Sequence, residues 1–222
     1  MKTIIFGNGA TARLLHSYAR HSMDIVGFTA DDAYVEGDTF LGLPLVPFSA
    51  LERHFPPAEH AAIVAIGFID MNGLRARRHA DLAERGYRLA SYVHPSVFRH
   101  DGVTIGENCI ILDHVSIHPG CTIGDGTFIS SNVNLGHDCR IGRFNFINSG
   151  IALAGGCVVG ESCFFGVNAS AAHGKTIGAR NFIGANTLIS NDTADDQVWL
   201  PEPAQLFRLK SRAFLKFSKM LG

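Results

Sequence analysis

"VTIGENCIILDHVSIHPGCTIGDGTFISSNVNLGHDCRIG", residues 103–142, carries an aliphatic residue at every sixth position. The phase holds from Ile105 through Ile111, Ile117, Ile123, Ile129, Leu135 and Ile141 to Ile189, with Phe165 and Ala171 as its variants, fifteen positions without a break. Glycine often follows, as at Gly106, Gly124, Gly136, Gly142, Gly160, Gly166, Gly178 and Gly184. A period this short marks a solenoid of hexapeptide type, in which the aliphatic residue fills the core and the small one lets the chain turn a corner. Three hexapeptides close one triangular coil, so residues 103–192 predict five coils, stacked about 4.8 Å apart like neighbouring strands.

The five cysteines obey the same frame. Cys109, Cys121, Cys139, Cys157 and Cys163 each fall two residues before the aliphatic position, where Val103, Val115, Thr127, Val133 and Ile151 stand in other hexapeptides. They read as small buried groups in a reducing compartment, and their spacing does not suit a zinc site. Lys and Arg number 19 against 20 Asp and Glu, which gives no electrostatic case for nucleic acid. The start, "MKTIIFGNGATARLL", has a short apolar run broken at Gly7-Asn8-Gly9, unlike a signal peptide, and no run approaches a membrane span. A cytoplasmic protein is expected.

Before residue 100 strands and helices alternate: "KTIIF", a helix in "TARLLHSYARH", "DIVGF", "AAIVAIG", and a helix in "NGLRARRHADLAERG" ending at Gly86. This predicts a small Rossmann-like parallel sheet over 1–98, followed by the solenoid over 99–196. Beyond it, Leu206, Leu209, Ala213, Phe217 and Met220 keep helical spacing among basic residues, and predict a helical cap over 197–222. Contact of that basic segment with CoA phosphates or an acidic membrane surface is a secondary reading.

Gly7-x-Gly9-x-x-Ala12 follows a strand and opens a helix, and Asp31 and Asp32 end the next strand. Such glycines let backbone N–H groups approach a phosphate at a helix N-terminus. The segment is long enough for one mononucleotide-binding half, which favours a nucleotide or nucleotide sugar over NAD. A tight turn that binds nothing is the bland alternative.

His137 stands beside Asp138 in "NLGHDC", residues 134–139, in a middle coil. An imidazole steadied by a carboxylate suits removal of a proton from an acceptor attacking a thioester. Neighbouring side chains on a strand point to opposite faces, so the pair needs a corner, which Gly136 can supply. One coil on is Gly155, whose N–H can stabilise an oxyanion. Two coils on is His173, about 9.6 Å away at the coil spacing, too far for a direct relay.

The "GNGATA" loop, the hexapeptide solenoid and the "GHDCRIG" segment together resemble the sialic-acid O-acetyltransferase and nucleotide-amino-sugar N-acetyltransferase family, left-handed β-helix enzymes that form trimers. The resemblance implies acetyl transfer from acetyl-CoA to the amino group of a nucleotide-linked amino sugar, with no metal, in active sites between subunits of a homotrimer. It implies His137 as general base with Asp138 as its partner, and Gly155, Phe146, Val167 and Ala185 along acetyl-CoA. Gly7, Gly9, Ala10, Thr11, Asp31 and Asp32 would face the nucleotide sugar. The chain departs from the family in having Asp138 where Glu is common, Phe146 and Thr11 where His is frequent, and "LPEPAQLFRLKS" at its end. Sugar O-acetylation is the alternative, ahead of two further readings. One is a zinc carbonic anhydrase of the γ type, suggested by the 36-residue spacing of His137 and His173 but with Gly178 where its third His belongs. The other is a nucleotide-binding scaffold without catalysis.

Overall fold

The computed structural model describes residues 1–218, with backbone alone at positions 217 and 218. Lys219 and Met220 of the expected cap therefore lie outside the described residues, as does the side chain of Phe217.

The N-terminal sheet is built from Lys2–Phe6 (β1), Ile25–Ala30 (β2), Thr39–Phe40 (β3), Leu43–Pro47 (β4), His60–Val64 (β5) and Arg88–Leu89 (β6). Its order is β3-β4-β2-β1-β5-β6, parallel except for the β3–β4 hairpin. The middle strand β1 reads as an unbroken apolar run because both faces are covered, and Ile4, Ile5 and Phe6 are buried. The helices Ala10–Ala19 (α1), Leu51–His54 (α2) and Gly73–Glu84 (α3) connect the strands. Gly86, with φ +82°, terminates α3 as a left-handed C-terminal glycine.

The rest is a left-handed parallel β-helix. Each hexapeptide gives a two-residue strand whose first side chain points out and whose second points in, followed by a two-residue corner. Asn134 is exposed and Leu135 buried, for example. The second corner residue repeatedly adopts positive φ, which accounts for Gly102, Gly120, Gly156 and Gly174 and for Asn108, Asn132, Asn168 and Asn186 at these positions. The three faces hold seven, six and five strands. The solenoid begins before the expected residue 99, at Tyr92–Val93, and ends beyond 196, at Val198–Trp199. Arg99 hides the early register, since it occupies an aliphatic position. The last coil loses two residues, pairing Phe182 with Val198, and the six-residue phase breaks there.

The faces differ outside. One presents Tyr92, Ile110, Phe128, Phe146, Phe164 and Phe182, stacked in register through consecutive coils. The Phe128 and Phe146 rings stack at 4.4 Å, and Phe164 and Phe182 at 4.6 Å. This ladder shares one apolar cluster with Ile5, Leu15 and Phe28 of the N-terminal sheet. Arg75 of α3 is buried against it, donating from Nη2 to the carbonyls of Phe144 and Asn145, each at 2.9 Å. Its guanidinium lies 5.5 Å from the Phe146 ring centre, and burial pushes its pKa down to about 9. Tyr18 closes the seam with a 2.8 Å hydrogen bond to Asp113.

At the far end of the solenoid, Trp199 packs against the core. The C-terminal helix forms over Ser211–Ser218 (α4), with Leu206 and Phe214 exposed; among the described residues it is Trp199 that packs onto the last coil. Among the described residues no helix is long and apolar enough to cross a membrane.

Candidate functional site

The solenoid's three corners carry different chemistry. The corner between the second and third faces bears His137 with Asp138, then Gly155 with Gly156, then His173 with Gly174, one pair per coil. Asp138 takes the left-handed position, φ +58°. That backbone turn brings two consecutive side chains to one side, and Asp138 Oδ2 lies 2.9 Å from His137 Nδ1. The conflict between strand alternation and a side-by-side pair is resolved by the corner, and the left-handed residue that resolves it is the aspartate itself. Aspartate tolerates this conformation better than most side chains.

Gly155 lies directly beneath the imidazole. A Cβ there would collide with Nε2, Cδ2 and Cε1 of His137, so only glycine admits the ring in this pose. The Gly155 N–H has no acceptor among the described residues, whereas the next N–H, of Gly156, donates to the His137 carbonyl at 2.7 Å. His173 leans across the same bare corner. Its ring centre is 6.1 Å from that of His137, much nearer than two coil spacings imply.

The other residues expected along the cofactor are elsewhere. Phe146 belongs to the buried ladder between the two domains and is 8 % exposed, so it does not face a cofactor groove in this chain. The sequence signal that separates it from the site is the recurrence of phenylalanine every coil at 128, 146, 164 and 182. Val167 and Ala185 are exposed, but on the corner between the first and second faces, away from His137.

The glycine loop lines a cleft of about 280 Å³ with Ala10, Thr11, Asp31 and Tyr34. Its two glycines differ in what they do. Gly7 has φ +128°, and a Cβ there would stand 2.7 Å from the Ala65 carbonyl oxygen, so the fold itself requires it. Gly9 precedes α1 with open space where a Cβ would point, and α1 has neither a side-chain cap nor an acidic residue in its first turn. Its free N–H groups and positive dipole end therefore face the cleft ready for an anion. Asn8, which the loop pattern leaves unassigned, donates to the Tyr34 carbonyl at 2.6 Å and ties the loop to the cleft wall.

The two aspartates divide. Asp31 lines the cleft and pairs with Arg78 Nε at 2.8 Å. Asp32 does not line it. Its carboxylate accepts the Ser49 N–H at 3.0 Å, and hydrogen bonds from the Ser49 hydroxyl and backbone hold its pKa below the usual carboxylate range. Placing Asp32 on the nucleotide side is thereby corrected. Among the described residues no group of three or more His, Cys, Asp or Glu is arranged to hold a metal ion.

Residues 102–137 match the family model described as bacterial transferase hexapeptide (six repeats). No curated protein sequence matches the chain significantly. Among solved structures, the chain is similar to a histidine-to-alanine mutant of GDP-perosamine N-acetyl transferase from Caulobacter crescentus, in complex with CoA and GDP-perosamine. The identity is 28 %, the TM-score 0.80, and the match covers 89 % of this chain and 92 % of that one. The acetyltransferase domain of PglB from Neisseria gonorrhoeae, in complex with acetyl coenzyme A, shares the fold at 22 % identity and TM-score 0.80, covering 89 % and 94 %. WeeI from Acinetobacter baumannii shares it at 16 % identity and TM-score 0.80, covering 93 % and 100 %. The resemblance to nucleotide-amino-sugar N-acetyltransferases read from the sequence is thus met by the whole fold, from the N-terminal sheet through the solenoid.

Proposed function

We propose that this chain, a CoA-dependent acetyltransferase, moves an acetyl group from acetyl-CoA to the amino group of a nucleotide-linked amino sugar, in the assembly of a surface polysaccharide or glycan. The observation that carries this reading is the His137–Asp138 pair seated over Gly155 at a solenoid corner. The 28 % identical N-acetyltransferase that binds CoA and a nucleotide amino sugar supports the substrate class.

In this reading Asp138 accepts the Nδ1–H of His137, which leaves the lone pair on Nε2 for the acceptor amine. As the amine attacks the thioester carbonyl, Nε2 takes its proton, and the free N–H of Gly155 meets the oxygen on which charge develops. Collapse of the intermediate expels CoA as the thiol. The N-terminal cleft holds the nucleotide, with the N–H groups from Gly9 to Thr11 on its phosphates and Asp31 on its sugar hydroxyls.

One chain does not complete such a site. The N-terminal domain covers the phenylalanine face, and His137 sits at the corner opposite that face. Val167 and Ala185 lie on a corner that borders the covered face. A homotrimer that sets the cleft, Val167 and Ala185 of one subunit beside His137 of its neighbour unites them. The free, buried cysteines suit a reducing cytoplasm, where acetyl-CoA is available.

The direct test is thiol release from acetyl-CoA with a panel of nucleotide-linked amino sugars, on the wild type and His137→Ala. Release that needs an amino sugar and falls by roughly 10²–10⁴-fold in the variant is expected. Undiminished turnover in His137→Ala would sink the assignment.

A further inference from the structure

Two imidazoles, rather than one, overlook the Gly155 corner. His137 and His173 come from coils two apart, about 9.6 Å by strand spacing. Their rings nevertheless close to 6.1 Å because the coil between them offers only Gly155 and Gly156. The two histidines differ in their commitments. Asp138 occupies Nδ1 of His137. Among the described residues His173 makes no hydrogen bond, and its ring is exposed on the same side of the corner.

We propose that His173 is a second catalytic residue of the acetyl-transfer site, the acid that protonates the departing CoA sulfur. This rests on the acetyltransferase reading above. The tetrahedral intermediate carries the attacking nitrogen and the leaving sulfur on one carbon. Each can be served by a ring nitrogen at about 3 Å, from two imidazoles on either side of that carbon. The new C–N bond forms and the carbonyl π pair moves to oxygen. Nε2 of His137 takes the nitrogen's proton. As the oxygen pair re-forms the carbonyl, the C–S bond breaks with its electrons on sulfur, which receives a proton from the His173 imidazolium. The products are the amide and CoA thiol. His137 has gained one proton and His173 has lost one, and exchange with water resets both.

The proposal separates from a merely structural role by the leaving group. A selenolate is a far weaker base than a thiolate and departs without a proton. Turnover is therefore measured for the wild type, His173→Gln and His137→Ala, with acetyl-CoA and with its selenoester analogue, at saturating nucleotide-linked amino sugar. His173→Gln is expected to slow acetyl-CoA turnover by about 10²-fold and to leave selenoester turnover near that of the wild type, while His137→Ala slows both. Equal loss of His173→Gln activity with the two donors, or loss with neither, overturns the acid role and leaves the acetyltransferase reading standing. Absence of transfer by the wild type from either donor overturns that reading and the proposal with it.

Discussion

Asp138 holds a structural place and, in the proposed mechanism, a functional one. It fills the left-handed position of its corner, as Asn168 and Gly120 do at others, and the same backbone angle swings its carboxylate to His137. Gly155 makes the complementary demand, for absence of a side chain. In Gly155→Ala the new Cβ meets the imidazole, and the ring must leave its pose. Since Gly155 needs no positive φ and the corner is exposed, the fold should tolerate the change. Turnover in Gly155→Ala is expected to fall by at least about tenfold, since a misplacement of about 1 Å can cost far more, while the melting temperature barely moves. Calorimetry beside the thiol-release assay reads both quantities, and an unchanged rate would show that the ring's seat is irrelevant.

Among the elements, the phenylalanine ladder does what a linker cannot: it fixes the N-terminal sheet to one face of the solenoid. Phe146 is central to it, stacked on Phe128 and crossed by Arg75. Phe146→Ala is expected to cost about 3–5 kcal/mol, as large buried aromatics do. The KM for acetyl-CoA should stay unchanged in whatever fraction remains folded; denaturant melts and initial rates separate the two. A rise in KM without loss of stability would return Phe146 to the cofactor. The cysteine column makes a second element-scale prediction. Burial pushes Cys109 and Cys163 up to about 11, while the hydrogen bond with Cys139 draws Cys157 down to about 6; all five thiols are nevertheless sealed in the core, out of reach of a reagent. At pH 8 the native protein should therefore react with a thiol reagent only slowly, and all five should react once it is denatured. Rapid native labelling would mean that the coils open.

For the whole molecule, the N-terminal domain that carries the cleft covers the phenylalanine face, whereas His137 sits on the corner between the other two faces. If neighbouring subunits share each site, two inactive variants should complement. His137→Ala retains the cleft. Gly9→Glu retains the dyad and places a charge into space that is open in the fold, with no atom near the new Cβ. Assembled together from a one-to-one mixture, they should recover about a quarter of wild-type activity, since one pairing in four joins two intact halves across a cyclic interface. No recovery, with the mixed assembly verified by mass, would place cleft and base in the same chain.

The solenoid was legible in the chain because its rules are local. Strand alternation, a six-residue phase and corners that favour Gly, Asn or Asp act within a few residues and repeat. The strand β1, the helices α1 and α3 and the glycine cleft were legible for the same reason, as was the corner that sets Asp138 beside His137. Distances between coils and the choice of face were not. That His173 reaches to 6.1 Å depends on what Gly155 leaves empty, and that Phe146 is buried depends on a domain that folds against it. Asp31 and Asp32 are neighbours whose roles are separated by Arg78 and Ser49, each distant in sequence. Local sterics are written in a sequence one turn at a time. Which surfaces meet is decided only when the whole chain competes to bury its apolar groups and satisfy its polar ones.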